Sequence, residues 1–281
     1  MLDNKITKKI EEFVYEKPRS IQEIAKYIEK SWRTADRYID EIAKELGTLS
    51  VRVFREGTRG ALKIVYWAAI EKISSSVFQE KLEEDIIRAK KDENFSAFDI
   101  FQHVSDKNKK ASVEYPRNEN ETYIKEFAEI LKKAEKQLLF FSGNLSFINL
   151  GNKNENIFKI IEDLVRKNVS IKVICRVDLV GKENVEKMLS LNFKYGKEMI
   201  EVRHSEQPVR GVVIDNKVIR LKEIKEPTGK ISELNKKVFI FYTIKDKEWA
   251  EWLSKIFWKI FSKSINSNKR LEEINKLKIK R

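Results

Sequence analysis

Cysteine and histidine are nearly absent from this chain of 281 residues, which holds one cysteine and two histidines. Because Cys175 has no second cysteine to pair with, no disulfide can form within the chain, and we expect a reducing, cytoplasmic location. So few potential ligands do not make a zinc site, so neither a metal nor a cofactor is predicted. The longest apolar runs, "IVYWAAI" and "VFIFYTI", are far shorter than the ~20 residues that a membrane-spanning helix needs.

Proline is also scarce, whereas charge is abundant. Four prolines and 36% charged residues indicate a largely helical, well-solvated protein. The net charge of +13 suits a polyanionic partner, above all DNA or RNA. An AT-rich coding genome or a hot environment also enriches lysine, so the charge alone leaves both explanations open.

The first segment, residues 1–70, predicts three short helices followed by a hairpin. Ser20 and Glu23 form a capping box that starts the second helix, and Ser31 and Gly47 cap the third helix at its two ends. The stretch "LSVRVFREGTRGALKIVYW" alternates like two strands joined at 56–60.

The stretch "SIQEIAKYIEKSWRTADRYIDEIAKELG" resembles archaeal and bacterial winged helix-turn-helix regulators, most specifically in "SWRTADRYI". The resemblance implies that the third helix enters the major groove of double-stranded DNA and that the hairpin is the wing. The candidate DNA-binding residues are Trp32, Arg33, Thr34 and Arg37 on the helix and Arg55, Arg59 and Lys63 on the wing. Two alternatives stay open: Trp32 can pack beneath the turn, and a winged helix can instead bind protein.

The rest of the chain divides into three predicted parts. Residues 71–120 are expected to form a helical linker. Residues 121–263 alternate helices with strands, which indicates an α/β domain with helices on the faces of a sheet. Residues 264–281 are expected to form a basic tail.

The strand order of 121–263 and the stretch "PVRGVVIDNKVIR" resemble one half of a phospholipase D-like phosphodiesterase. That family carries H-x-K-x-x-x-x-D, and the matching positions here hold Pro208, Arg210 and Asp215. A prolyl ring has no nucleophilic nitrogen, so the motif is degenerate and the chain is predicted not to be an enzyme. His204 precedes the motif and suits a partly exposed strand end, and His103 has no companion.

A winged helix followed by a degenerate phospholipase D-like domain resembles the organisation of archaeal TrmB-type regulators. The predicted function is therefore a DNA-binding transcriptional regulator that acts as a homodimer, with a small-molecule effector left open. The alternatives are a nucleic-acid phosphodiesterase and an adaptor that binds protein. The helices at 77–91 and 248–260 are candidates for the dimer seam, although the stripe that contains Trp249, Trp252 and Phe257 also suits a core.

Overall fold

The chain is a mixed α/β protein in a computed structural model that describes residues 4–46, 48–55, 61–67, 75–115, 121–227 and 236–279. The helices are α1 (Asn4–Glu16), α2 (Ile21–Tyr27), α3 (Trp32–Glu45), α4 (Ser75–Arg88), α5 (Ala97–His103), α6 (Glu121–Lys132), α7 (Ile157–Arg166), α8 (Lys182–Tyr195), α9 (Lys247–Lys263) and α10 (Ser267–Ile279). The strands are β1 (Arg19–Ser20), β2 (Leu49–Arg55), β3 (Ala61–Trp67), β4 (Lys109–Glu114), β5 (Gln137–Phe141), β6 (Ser170–Cys175), β7 (Ile200–His204), β8 (Gly211–Ile214), β9 (Val218–Lys225), β10 (Val238–Ile244) and β11 (Ile265–Asn266).

The N-terminal unit packs α1, α2 and α3 against a three-stranded antiparallel sheet in the order β1-β3-β2. The predicted capping box is confirmed: the Glu23 amide donates to the Ser20 hydroxyl at 3.2 Å, and the Ser20 amide donates to the Glu23 carboxylate at 2.7 Å. These bonds satisfy amides that a helix start leaves unpaired, so α2 begins at Ile21. Gly47 and the turn at 56–60 lie outside the described residues.

The larger sheet has eight strands in the order β11-β7-β6-β5-β8-β9-β10-β4. Strands β5, β6 and β7 are parallel to one another, and the remaining pairs are antiparallel. One apolar layer joins α6, α7, α8 and α10 to one face, and a second joins α4, α5 and α9 to the other. The alternation of helices and strands predicted for 121–263 is confirmed.

The hairpin of β2 and β3 packs between the two units, because its alternating side chains are apolar on both faces. Leu49 and Val65 face the core of α1–α3. Phe54, Leu62 and Ile64 belong to the same apolar cluster as the buried side chains of α5 and β10. The N-terminal unit is therefore joined to the larger sheet by a shared core.

Two parts of the predicted organisation need correction. The segment expected to be a linker contributes a strand, because β4 pairs with β10 at the edge of the large sheet from Lys109 to Glu114. The stretch expected to be a basic tail forms α10, whose Leu271 and Ile274 are buried in the layer of α6–α8. Both segments are polar on average, so a small number of well-spaced apolar side chains fixes them.

Candidate nucleic-acid interface

Two helices joined by a tight turn present α3 at the surface. Glu29 adopts a left-handed φ of 57°, and the Lys30 amide donates to the carbonyl of Ala25 at 3.0 Å, which ends α2. The Ser31 hydroxyl then accepts the amide of Thr34 at 3.2 Å and caps the start of α3. A tight turn at 28–30 therefore joins α2 to α3, and the buried Ala35, Ile39 and Ile42 hold α3 to the unit.

The outer face of α3 carries exposed cations, which we call the α3 stripe and define as Arg33, Arg37 and Lys44. The side chain of Arg37 is 65% exposed, and its Nε lies 3.8 Å from Glu41. Asp40 is exposed on the same face and lowers the local positive charge. Lys44 was missed in the sequence analysis, although its spacing of seven residues from Arg37 places it on this face.

Two other predicted residues of α3 are less available than the stripe. Trp32 is half-buried against the core of α1–α3, and the guanidinium of Arg33 lies 5.8 Å from its ring. Thr34 is half-buried, and its hydroxyl lies 2.9 Å from that of Ser31. Trp32 and Thr34 therefore lie close to the cations of the α3 stripe. Their own side chains, however, support the start of α3.

The hairpin contributes one described cation beside α3. Lys63, predicted to contact phosphate, donates to both carboxylate oxygens of Asp36 at 2.7 and 2.8 Å. This ion pair ties β3 to α3. The side chain of Arg55 and the whole of Arg59 lie outside the described residues, so their predicted roles remain predictions.

A buried ion cluster connects α2 to the larger sheet. Lys225, on β9, is 9% exposed, and its ammonium lies 3.1 Å from both Glu23 and Glu223. Burial lowers the pKa of Lys225, but attraction by Glu223 and Glu23 outweighs it, so the pKa is raised. Burial raises the pKa of Glu23, but Lys225 and the hydrogen bonds from Ser20 outweigh it, so the pKa is lowered. Both groups are therefore charged at neutral pH.

The stretch that resembles a phosphodiesterase motif is the β8–β9 hairpin, and its aspartate is occupied by the backbone. Asp215 and Asn216 have left-handed φ values of 51° and 55°, as the two central residues of a type I′ β-turn require, and the Lys217 amide closes this turn by donating to the carbonyl of Ile214 at 2.9 Å. The carboxylate of Asp215 accepts the amides of Glu135, Lys136 and Gln137 at 2.8–2.9 Å. It therefore fixes the entry to β5.

Arg210 is held by contacts within the chain. Its Nη1 donates to the carbonyls of Gln207 and Val209 at 2.9 and 3.0 Å, and its Nε lies 3.7 Å from Asp92. Burial lowers the pKa of Arg210, and Asp92 partly offsets this effect. Pro208 is buried beside it.

Both histidines have contacts with residues other than Arg210. The Nδ1 of His204 accepts the amide of Val177 at 2.9 Å, and burial, followed by repulsion from Arg270, lowers its pKa. His103 stacks on Phe78 with ring centroids 4.1 Å apart, and burial lowers its pKa to about 4. Both imidazoles are therefore neutral at neutral pH.

Within the described ranges, no three or more His, Cys, Asp or Glu side chains are grouped so that they could hold a metal ion. No helix in the described part of the chain combines the length and apolar character needed to span a bilayer.

No protein-family model and no curated protein matches this chain. Similar solved structures include Nuc from Salmonella typhimurium, a phospholipase D family member, with 12% identity over 56% of this chain and 97% of that chain and a TM-score of 0.39. TrmBL2, an archaeal chromatin protein with a novel mode of DNA binding, is 14% identical over 94% of both chains, with a TM-score of 0.37. Phosphatidylserine synthase from Haemophilus influenzae Rd KW20 is 11% identical over 61% of this chain and 46% of that chain, with a TM-score of 0.37.

The prediction that the chain is not an enzyme was wrong as stated, because a phospholipase D family member and a phosphatidylserine synthase are among these similar structures. The prediction rested on Pro208. A missing nucleophile at position 208 says nothing about nucleophiles elsewhere in the chain. DNA-binding proteins and phospholipase D family proteins, the two classes compared from the sequence, are both represented.

Proposed function

We propose that the chain is a DNA-binding regulator of transcription whose N-terminal unit is a winged helix-turn-helix. The observation that carries this proposal is the α3 stripe: Arg33, Arg37 and Lys44 are exposed on one face, while the opposite face of α3 is buried. A helix of this kind fits the major groove, where arginine can donate two hydrogen bonds to a guanine edge or pair with phosphate.

The arginines of the stripe can exchange their present contacts for DNA at little cost. The contact between Arg37 and Glu41 is long, and both groups reach solvent, so the pair contributes ~1 kcal/mol or less. Arg33 has no ion pair within the described part of the chain and contacts the ring of Trp32. A phosphate or guanine acceptor therefore competes mainly with water.

The orientation of α3 is fixed from three sides, which favours specific binding. The turn at 28–30 sets its start, Lys63 holds Asp36 from the hairpin, and Lys225 holds Glu23 of the neighbouring α2. A preorganised helix loses less conformational entropy on binding than a mobile one.

The proposal is tested by Arg33→Ala and Arg37→Ala in the full chain. DNA fragments that bind are first selected from genomic DNA, and affinity is then measured at fixed salt. Each substitution is expected to weaken specific binding by about 1–3 kcal/mol, the usual contribution of an arginine that contacts a base. The free energy of unfolding is expected to change little, because both side chains are exposed.

Arg166→Ala is the matched control, because Arg166 is exposed on α7, away from the seam proposed below, and forms a comparable helix-surface pair with Asp163 at 3.5 Å. It should leave DNA affinity unchanged. Unchanged affinity in both α3 variants would remove α3 from the reading face and overturn the proposal.

We further propose that two chains pair as a homodimer through α4 and α9, because one winged helix makes few base contacts and two half-sites multiply affinity. The apolar stripe of α9 that contains Trp249, Trp252 and Phe257 is buried in the chain's own core and cannot form the seam. Ile87 on α4 and Trp258 on α9 remain 44% and 41% exposed, and Lys259 joins the two helices by pairing with Glu83.

The seam is tested by Trp258→Glu in the full chain, which places a charge in the proposed contact. Light scattering at tens of micromolar should find a dimer for the unmodified chain and a monomer for the variant. Phe193→Glu, which alters an 87% exposed aromatic on α8, should remain dimeric. A dimer that survives Trp258→Glu and dissociates with Phe193→Glu would place the seam on α8.

A further inference from the structure

A cavity of about 450 Å³ opens at the end of the large sheet opposite Arg210. Its walls are α6, the start of β4, the turn between β8 and β9, and the end of β10. The amide of Gln137, at the start of β5, donates to Asp215 in this turn, whereas Gly143, after the end of β5, lies beside Arg210. The cavity is therefore distinct from the motif positions at 208 and 210.

The cavity is lined by more cations than anions. The lining lysines whose side chains are exposed are Lys107, Lys110, Lys133, Lys217 and Lys245. Two of the lining carboxylates are already neutralised, because Glu126 contacts Arg220 and Lys110, and Asp215 accepts three backbone amides. By contrast, Lys133, Lys217 and Lys245 form no ion pair or hydrogen bond through their ammonium groups with other described residues. They outnumber the two lining carboxylates that are likewise unpaired among the described residues, Glu129 and Glu135.

The buried Arg220 gives the cavity a fixed cation. Its side chain is 5% exposed, and its guanidinium donates to Thr243 at 2.9 Å and to Glu126 at 3.1 Å. Its Nε finds no acceptor among the described residues. A cation that burial removes from water needs a compensating negative charge. Glu126 supplies this charge to Arg220, but the same carboxylate also contacts Lys110.

We propose that this cavity binds a small phosphorylated metabolite. Its volume falls within the range of about 300–1,000 Å³ that small-molecule sites occupy. Several lysines that surround one opening match a compact group with more than one negative charge, since each ammonium acts as a point donor to a phosphate oxygen. A carboxylate would carry too little charge to engage three unpaired lysines together.

The phosphate could also belong to DNA, because the cavity wall adjoins the N-terminal hairpin. Arg52 on β2 lies 3.7 Å from Asp106, which also pairs with the wall residue Lys109 at 3.3 Å. We assign the cavity to a free ligand, and the experiment must separate binding of a free phosphate compound from binding of DNA. This assignment does not depend on the function proposed for α3.

The test is calorimetric titration of the full chain with inorganic pyrophosphate at about 0.15 M salt, where exposed charges are largely screened beyond ~8 Å. The cavity variant carries Lys133→Gln, Lys217→Gln and Lys245→Gln. Its matched control carries Lys153→Gln, Lys159→Gln and Lys167→Gln, three exposed lysines outside the cavity with the same total change in charge. DNA affinity of all three proteins is measured at the same salt.

We expect the unmodified chain to bind pyrophosphate with a submillimolar dissociation constant. The cavity variant should bind it at least tenfold more weakly, and the control should bind it as the unmodified chain does. The two variants should have equal DNA affinity. No binding by the unmodified chain, or equal weakening in both variants, would overturn the proposal. So would a cavity variant that loses DNA affinity while its pyrophosphate affinity matches the control, because the lysines would then belong to a DNA surface.

Discussion

Arginines in two stretches of this chain match phosphate-binding patterns, but they differ in their burial and in their contacts within the chain. Arg33 and Arg37 stand on the outer face of α3 with solvent around them. Arg210 is half-buried and donates to two backbone carbonyls of its own loop. A motif fixes where a side chain starts from the backbone, but burial and internal partners decide whether it is available to a ligand.

The same contrast holds for carboxylates. Asp215 occupies a motif position, yet it binds three amides and organises a turn. Glu23, which the sequence assigns to a local capping box, also pairs with Lys225 of β9. One residue with an expected chemical role is structural, and one with an expected local role joins distant parts of the chain.

The largest effect is expected from Lys225→Met, which removes the cation between Glu23 and Glu223. Two carboxylates would lose their shared partner in a largely buried site, so the free energy of unfolding should fall by about 3–5 kcal/mol. Lys172→Met is the control, because Lys172 pairs with Glu201 at the same 3.1 Å, but its side chain is 20% exposed against 9% for Lys225. That change should cost ~1 kcal/mol or less in urea unfolding. Equal losses would show that the cluster behaves as a surface pair.

The second effect is expected from Asp215→Ala, which leaves three amides without their carboxylate. Hydrogen bonds to a charged group contribute about 1.5–3 kcal/mol, and alanine at a left-handed φ adds strain, so stability should fall by at least that amount. DNA affinity should not change in the fraction that is folded. Asp92→Ala, which removes the 3.7 Å contact to Arg210, should cost less than ~1 kcal/mol. If the Asp215 variant is as stable as the unmodified chain, the fold does not need this carboxylate, which is then available to bind a ligand.

Local signals predicted much of the fold, because they act over a few residues. The capping box at Ser20 and the cap at Ser31 each depend on side chains next to the backbone groups they bind. The strands of the large sheet from β5 to β10 were predicted because apolar runs alternate with helical patterns.

Contacts between residues far apart in sequence could not be predicted in this way. Lys225 and Glu23 are 202 positions apart, and Lys63 and Asp36 are 27 apart. Nothing in the local pattern at "LKEIKEP" distinguishes Lys225, with 9% exposure, from a solvated lysine. For the same reason β4 was assigned to a linker, since its role follows from the free edge of β10 rather than from its own polar sequence.

The smallest effect is expected from Lys63→Gln. This substitution tests whether Lys63 is available to DNA, like Arg33 and Arg37, or is occupied within the chain, like Arg210. Lys63 pairs with Asp36 at 2.7 Å, with side-chain exposures of 31% and 20%, so its loss should lower stability by about 0.2–1 kcal/mol. Because the ammonium already has a carboxylate, we expect the slope of log affinity for DNA against log salt to stay the same. A slope that falls by about one unit would show that Lys63 leaves Asp36 for a phosphate on binding. The hairpin would then act as a DNA-contacting wing, as the sequence predicts, and Lys63 would join Arg33 and Arg37 rather than Arg210.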